Sequence, residues 1–214
     1  MEQNISDAIK AALEAAPERK FVESVDFAIT IKDVDLKNPA NRVQEEIRLP
    51  SGRGRDIQIA MFAGTEAAVK AKEAGIFVIA PEEIEELGKN KMTAKKLANR
   101  YDFFLAEVSQ MALIGRYLGV VLGPRGKMPR PCPPNVDPGM IAAGLKSTVV
   151  VRSRDRITFH TAIGTRSQSH EELLANAIAV WDRVTRKLER GAGNIRSFYI
   201  KTTMGPSHKV EVVL

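Results

Sequence analysis

Two kinds of strand pattern occur in this chain of 214 residues, and they occupy different stretches of it. Near both ends, apolar residues alternate with other residues, as at 25–31 (VDFAITI) and 157–163 (ITFHTAI). In the middle, short continuous apolar runs such as 76–80 (IFVIA) alternate with helical patterns. Alternation is typical of an antiparallel sheet with one wet face, whereas continuous runs between helices are typical of a parallel sheet covered on both faces. The chain is therefore predicted to hold two different sheets.

The order of these patterns predicts a split architecture. Helices are expected at 5–16, 64–74, 81–87, 93–100 and 169–189. Strands are expected at 25–31, 43–49, 57–62, 76–80, 103–106, 148–151, 157–163, 195–203 and 209–213. If the outer strands share one antiparallel sheet, the middle block is an insertion, so we predict an α/β protein of two domains. A discontinuous α+β domain would combine 1–62 with 151–214, and the inserted α/β domain would span 63–150.

Charge favours a polyanionic partner, because 32 Lys and Arg outnumber 26 Asp and Glu and leave a net charge of +6. No apolar run approaches the roughly 20 residues that cross a bilayer, and the first residues (MEQN) form no basic leader. We therefore expect a cytoplasmic protein with no membrane partner. The single cysteine, Cys132, cannot form an internal disulfide and has no nearby histidine to activate it.

The residues that enzymes need are not found in the usual spacings. Gly52-Arg53-Gly54 precedes a strand instead of following one, so it does not fit a dinucleotide-binding turn. Gly126-Lys127 has Val121 where a phosphate-binding loop has its first glycine, and Met128 where that loop has Ser or Thr. The three histidines are scattered, at His160, His170 and His208. We therefore predict no catalytic residues, no metal and no cofactor.

Two segments carry the most distinctive chemistry. The first, 122–131 (LGPRGKMPRP), opens a proline-rich stretch and is expected to be a stiff basic loop that either contacts phosphate or simply connects two elements. The second, 201–206 (KTTMGP), ends a strand in a turn. Its threonine hydroxyls could meet ribose 2′-hydroxyls, its thioether could lie over a sugar or base, and Gly205 would allow close approach.

Longer motifs around these segments resemble a known family. The stretches 114–129 (IGRYLGVVLGPRGKMP) and 197–206 (SFYIKTTMGP) are similar to signatures of the ribosomal protein L1 family, found on the mobile stalk of the large ribosomal subunit. The segments 20–25 (KFVESV) and 49–54 (LPSGRG) extend the resemblance over nearly the whole chain. Archaeal members are the most similar.

The resemblance implies a discontinuous outer domain that binds RNA and an inserted Rossmann-like, three-layer domain that carries the Gly-Pro-Arg-Gly segment. It implies a structural constituent of the ribosome that is monomeric when free. Implied partners are the large-subunit rRNA of the stalk, deacylated tRNA leaving through the exit site, and the protein's own mRNA, whose translation the protein would repress.

The family's RNA surface carries over to eight positions, which are mostly uncharged: Phe21, Glu23, Ser24, Gly164, Ser197, Thr203, Met204 and Gly205. Longer-range attraction is expected from three basic residues, Lys20, Arg166 and Lys201. Many relatives have a lysine where this chain has Thr165, so the basic contact there has either shifted to Arg166 or is absent. A surface of few charges predicts a shallow dependence of RNA affinity on salt.

Two other functions are weighed against RNA binding. An α/β enzyme would use the strand ends of the inserted domain as a ligand site, but it would need the phosphate-binding glycines or acid–base clusters that the chain lacks. A general DNA-binding protein would need a helix with Arg, Lys and Asn along one face, and none is found.

Overall fold

The computed structural model describes residues 1–212, and the chain divides into two compact units. The outer unit combines Met1–Arg55 with the chain from Ser147 onward, and the inserted unit is Asp56–Lys146. The helices are α1 (Glu2–Glu14), α2 (Thr65–Glu73), α3 (Pro81–Lys89), α4 (Lys91–Arg100), α5 (Met111–Arg125), α6 (Pro138–Lys146) and α7 (His170–Lys187). The strands are β1 (Ser24–Ile31), β2 (Gln44–Arg48), β3 (Ile59–Phe62), β4 (Phe77–Ile79), β5 (Phe103–Glu107), β6 (Arg130–Cys132), β7 (Thr148–Arg152), β8 (Thr158–Thr165), β9 (Ile195–Thr202) and β10 (Ser207–Val210). The predicted last strand ran to Val213, which lies outside the described residues.

The outer unit is built on a four-stranded antiparallel sheet with the order β10-β9-β1-β8. Alternate residues of β1 are buried, and α1 and α7 cover this face of the sheet. The Phe198 ring anchors the core, with its centroid 4.3 Å from that of Phe27 and 5.4 Å from that of Trp181. Helix α7 begins with a reciprocal capping box between Ser169 and Glu172, which satisfies backbone donors at its first turn. The α+β expectation for this unit is confirmed.

The opposite face of the same sheet is only partly shielded from solvent. Because side chains alternate along each strand, the residues between the core positions share this face. All of them are half-buried or exposed, and together they define the open face: Ser24, Asp26, Ala28 and Thr30 on β1, Thr158, His160 and Ala162 on β8, Ser197, Tyr199 and Lys201 on β9, and Ser207 and Lys209 on β10.

The outer strands do not all belong to one sheet. Strands β2 and β7 form a separate two-stranded antiparallel sheet. Ile47, Val149 and Val151 from this pair are buried in the same hydrophobic cluster as the four-stranded sheet. One core therefore supports two sheets.

The inserted unit has a four-stranded sheet with the order β4-β3-β5-β6, and all of its strands are parallel. One face packs on α3, α4 and α5 through residues such as Ile84, Ala94 and Ile114. The other packs on α2 and α6 through residues such as Ala71 and Ala142. This three-layer arrangement confirms the predicted α/β class.

The boundaries between the two units lie at different points of the chain from those predicted. The expected boundaries followed residues 62 and 150, whereas the structure divides the chain after Arg55 and after Lys146. Strand β3 was assigned to the outer domain, but it pairs with β4 and β5, and all four of its residues are buried. Full burial is typical of a central parallel strand, and four residues are too few for the sequence to separate that pattern from alternation.

The segment 122–131 is not the projecting loop that was predicted. Its first four residues are the last turn of α5, which contains Pro124 and ends at Gly126 with φ of +69°. Arg125 donates to the carbonyl of Val121, and the Lys127 ammonium donates to the carbonyls of Ala98 and Tyr101 at 2.8 and 2.7 Å. The lysine thus binds carbonyls at the end of α4, where helices lack internal donors.

Candidate nucleic-acid interface

The start of β1 and the turn after β9 meet at one edge of the outer sheet. The backbone N–H of Ser24 donates to the Thr203 hydroxyl at 3.1 Å, and the backbone N–H of Thr203 donates to the Ser24 carbonyl at 3.0 Å. We call the surface formed here by Lys20, Phe21, Ser24, Thr203, Met204 and Gly205 the junction surface. It joins six of the eleven predicted site residues, although the chain positions of its two halves are far apart.

Glu23 holds this turn from beneath. Its side chain is buried, with 1% exposure, and its Oε1 accepts the backbone N–H of Met204 at 2.9 Å. Its Oε2 is also buried, makes no hydrogen bond and lies 3.6 Å from Nη1 of Arg166. Arg166 donates its backbone N–H to the Glu23 carbonyl and its Nη1 to the Pro17 carbonyl, each at 2.9 Å. Both charged residues therefore act first as supports for the junction.

Apolar side chains project from the junction into solvent. Phe21 is 54% exposed and Met204 is 58% exposed, and Lys20 beside them is exposed as well. An aromatic ring and a thioether are suited to contacts with sugars and bases, and the Ser24 hydroxyl can exchange hydrogen bonds with a ligand. The Thr203 hydroxyl accepts the Ser24 N–H and donates to the Ser24 carbonyl at 3.3 Å, so it is left as an acceptor for a ligand.

Two predicted glycines are required by close packing. A Cβ on Gly205 would collide with Oγ1 of Thr202, the atom that accepts the Gly205 backbone N–H at 3.0 Å. A Cβ on Gly164 would collide with Oε1 of Gln168 and would lie 2.6 Å from Cδ2 of Leu173. Gly164 is buried, so it contributes to the shape of this edge and offers no surface to a ligand.

Ser197 and Lys201 lie on the open face, not in the junction. Lys201 is paired with Asp26, close to the junction, whereas Ser197 is paired with Thr30 at the other end of the strand pair. Six residues of extended chain separate Ser197 from Thr203, a distance of about 20 Å. The predicted residues therefore form one cluster with an extension along β9.

Sequence reasoning missed the residues that fasten the loop 51–54 beside Gly164. The Asn176 amide is fully buried, accepts the Ser51 N–H at 3.0 Å and donates to the carbonyls of Gly52 and Ile163. The Gln168 amide accepts the Thr165 N–H and donates to the Ser51 carbonyl, each at 3.0 Å. A polar residue within the apolar stripe of α7 is the one signal that could have identified Asn176.

Thr165 has a structural role. It is 4% exposed, and its hydroxyl donates to the Gly54 carbonyl at 3.2 Å and is 2.8 Å from the Ser167 hydroxyl. Position 165 therefore presents no positive charge, and Arg166 is the basic residue at this edge.

A cavity of about 330 Å³ lies in the inserted unit at the carboxyl ends of β5 and β6. Its lining includes Glu66, Lys70, Glu107 and Cys132. The Glu107 carboxylate is already engaged, since it accepts the Gly64 N–H at 3.1 Å. Burial raises the pKa of the Cys132 thiol, and the nearby carboxylates of Asp137 and Glu107 raise it further, so the thiol is a poor nucleophile.

The described part of the chain holds neither a cluster of metal-binding side chains nor a membrane-spanning helix. Within residues 1–212, no three His, Cys, Asp or Glu side chains are grouped so that they could hold a metal ion. No helix in this part of the chain is long and apolar enough to span a membrane.

Comparison with known proteins agrees with these observations. The Ribosomal protein L1p/L10e family model matches residues 10–206. The chain is 49% identical to the large ribosomal subunit protein uL1 of Thermoplasma acidophilum over 211 residues, which cover 97% of both chains. It is 50% identical to the uL1 protein of Methanocella arvoryzae over 205 residues, covering 95% of this chain and 96% of that one. These relatives are archaeal and are named as ribosomal proteins, not enzymes. The chain belongs to the ribosomal protein L1p/L10e family.

Proposed function

We propose that this ribosomal protein is built into the large subunit of the cytoplasmic ribosome and binds the rRNA of the mobile stalk through its junction surface. The names of its relatives support the place in the large subunit. The observation that carries the RNA assignment is the hydrogen bond from the Met204 backbone N–H to the buried carboxylate of Glu23, which fixes the turn that exposes the Met204 thioether.

The chemistry of the junction favours recognition of RNA shape. Its exposed groups are a ring, a thioether, hydroxyls and backbone amides, with Lys20 as its one charged residue. Such groups can pack on sugars and can form hydrogen bonds with ribose 2′-hydroxyls, which DNA lacks. Lys201 and Arg166 lie near enough to add attraction for phosphates.

We extend the proposal to two further RNA partners. A folded segment of the protein's own mRNA that copies the rRNA site would occupy the same junction surface, and its binding would repress translation. Deacylated tRNA leaving the exit site would be contacted when the protein is held on the stalk. The two partners differ in their test, because only the mRNA is expected to compete with the rRNA fragment for free protein.

The test is a binding titration of the purified protein with its own stalk rRNA fragment and with an unrelated hairpin of equal length, across a salt series. We expect selective binding. Three basic residues near the site, Lys20, Arg166 and Lys201, predict a slope of log affinity against log salt of about −2 to −3. Equal affinity for the two RNAs with a steep slope would contradict the proposal. Competition by the leader of the protein's own mRNA tests the repressor function.

A further inference from the structure

The open face of the four-stranded sheet has an arrangement that the junction surface does not use. In the middle row, Ala28 on β1 is paired with Tyr199 on β9 and with His160 on β8. Tyr199 is half-buried and His160 is exposed. Neighbouring strands lie about 4.8 Å apart, so the backbone positions of Tyr199 and His160 are about 10 Å apart, with the Ala28 methyl group between them. The small Ala28 side chain therefore does not fill the space between the two ring-bearing positions.

Neither ring is used inside the protein. Within residues 1–212, the Tyr199 hydroxyl and the His160 ring make no hydrogen bond to another group, and neither ring stacks on an aromatic neighbour. By contrast, the aromatic rings of Phe27, Phe198 and Trp181 on the other side of the sheet pack against one another in the core. An aromatic pair left open on a sheet is a platform on which bases can stack.

The charges around this pair favour a polyanion. Lys209 on β10 is paired with Tyr199, and Lys201 is the next open-face residue along β9. Arg196, exposed at the bulge near the start of β9, adds a third positive charge. The one carboxylate on the open face is Asp26, which is paired with Lys201.

Hydroxyl groups continue the same face. Thr30 and Thr158 are hydrogen-bonded through their hydroxyls at 3.1 Å, and Ser197 is paired with Thr30 in the same row. At the opposite end of the sheet, the face leads to the Ser24–Thr203 contact of the junction surface. Tyr199 and His160 therefore lie between the hydroxyl row and the junction surface. An RNA strand that leaves the junction along this face would pass over them.

We propose that the open face binds an unpaired segment of RNA, with one base stacked on Tyr199 and with phosphates near Lys201 and Lys209. The segment must be single-stranded, because a base within a helix has no free face for a ring on a sheet. This inference rests on the proposed function, since it supplies the RNA with a second contact beyond the junction.

The test uses a fluorescein-labelled oligouridine of twelve nucleotides, with binding to the full chain followed by fluorescence polarisation. We expect Tyr199→Ala to weaken binding about five- to a hundredfold, the contribution of one stacked base. Tyr199→Phe keeps the ring and should bind like wild type. Phe77→Ala, which removes a 48% exposed ring from the inserted unit, is the matched control and should have no effect. Thermal melts confirm that each variant is folded.

A second measurement tests the predicted phosphate contacts through the salt dependence of binding. Lys209→Ala should reduce the slope of log affinity against log salt for the oligouridine by about 0.7, the value for one phosphate contact to a single strand. Oligouridine binding that is absent, or that is unchanged by Tyr199→Ala, would overturn the inference. The stalk rRNA fragment and the unrelated hairpin are titrated in parallel. Equal affinity for these two RNAs contradicts the proposed function, whereas oligouridine binding that is unchanged by Tyr199→Ala contradicts the open-face site.

Discussion

Glu23 accepts the backbone N–H of Met204 at 2.9 Å, although 181 positions of sequence separate the two residues. The carboxylate is buried, so this hydrogen bond sets the turn without itself touching a ligand. We expect Glu23→Ala to lower the free energy of unfolding by about 2 kcal/mol, because the Met204 N–H loses a charged acceptor. Glu23→Gln keeps an oxygen acceptor and should cost less. Urea unfolding followed by fluorescence of Trp181, the one tryptophan and a core residue of the outer unit, measures both.

The control for this pair is Glu85→Ala. Glu85 forms an exposed ion pair with Lys89 on α3 at 3.3 Å, of the kind that contributes a few tenths of a kcal/mol. If Glu23→Ala were no more destabilising than Glu85→Ala, the buried carboxylate would not be the support that we describe.

Removing the exposed groups of the junction should weaken RNA binding, and Thr203→Ala should also lower stability, because the Thr203 hydroxyl accepts the Ser24 N–H. We expect Thr203→Ala to cost about 1–3 kcal/mol of affinity for the stalk rRNA fragment, the range of a buried polar contact left unmade. Met204→Ala should cost about as much, because the apolar side chain that the RNA would bury is removed. Met92→Ala is a matched control, because Met92 is 70% exposed but lies on α4 of the inserted unit. Normal binding by both junction variants, with intact melting curves, would show that the RNA surface lies elsewhere.

Gly164 should not tolerate a side chain. In Gly164→Ala the new methyl group would displace Gln168, which holds both Thr165 and the Ser51 carbonyl, so we expect a loss of about 1–3 kcal/mol of stability. Gly193→Ala is the control in the same unit, since its Cβ would meet only Arg190 Cβ, at an ordinary 3.6 Å. Urea unfolding of the two variants should therefore differ by at least 1 kcal/mol, and equal stabilities would contradict the packing argument.

The sequence predicted the elements of the outer unit well, because long amphipathic patterns identify a strand or helix by themselves. Strand β1 and helix α7 are examples, with alternate burial and a capped apolar stripe. Short elements were harder to assign. The four buried residues of β3 are equally compatible with a strand of the outer unit and with a central strand of the inserted sheet. Only the pairing of β3 with β5 distinguishes these two assignments. Helix α5 was missed because Gly and Pro at its end resemble a loop.

The candidate site was predicted by resemblance, and the structure separates two roles that a sequence cannot. Phe21 and Met204 are exposed, whereas Glu23 and Gly164 are buried. Exposed Phe21 and buried Glu23 occur in the same short motif, 20–25. Burial depends on contacts between distant parts of the chain, such as that of Glu23 with Met204. No local sequence pattern indicates such contacts.

Cys132 should react slowly with alkylating reagents. The thiolate is the reactive form, and burial together with Asp137 and Glu107 raises the pKa of this thiol, so less thiolate is present at neutral pH than in a free cysteine. The rate of modification by iodoacetamide should therefore still be rising at a pH where a free cysteine has levelled off. A rate at pH 7 equal to that of a cysteine-containing peptide would contradict this expectation.

Lys127 tests whether the proline-rich segment serves the fold or the RNA. Its ammonium binds the carbonyls of Ala98 and Tyr101, so Lys127→Met leaves carbonyls at the end of α4 without this donor. We expect a loss of about 1.5–3 kcal/mol, the range for hydrogen bonds to a charged group, with faster hydrogen exchange in α4. Lys96→Met, at an exposed position of the same helix, should change neither. Affinity for the stalk rRNA fragment should be the same for both variants, and a Lys127→Met protein that kept its stability but lost RNA binding would restore the phosphate-contact interpretation.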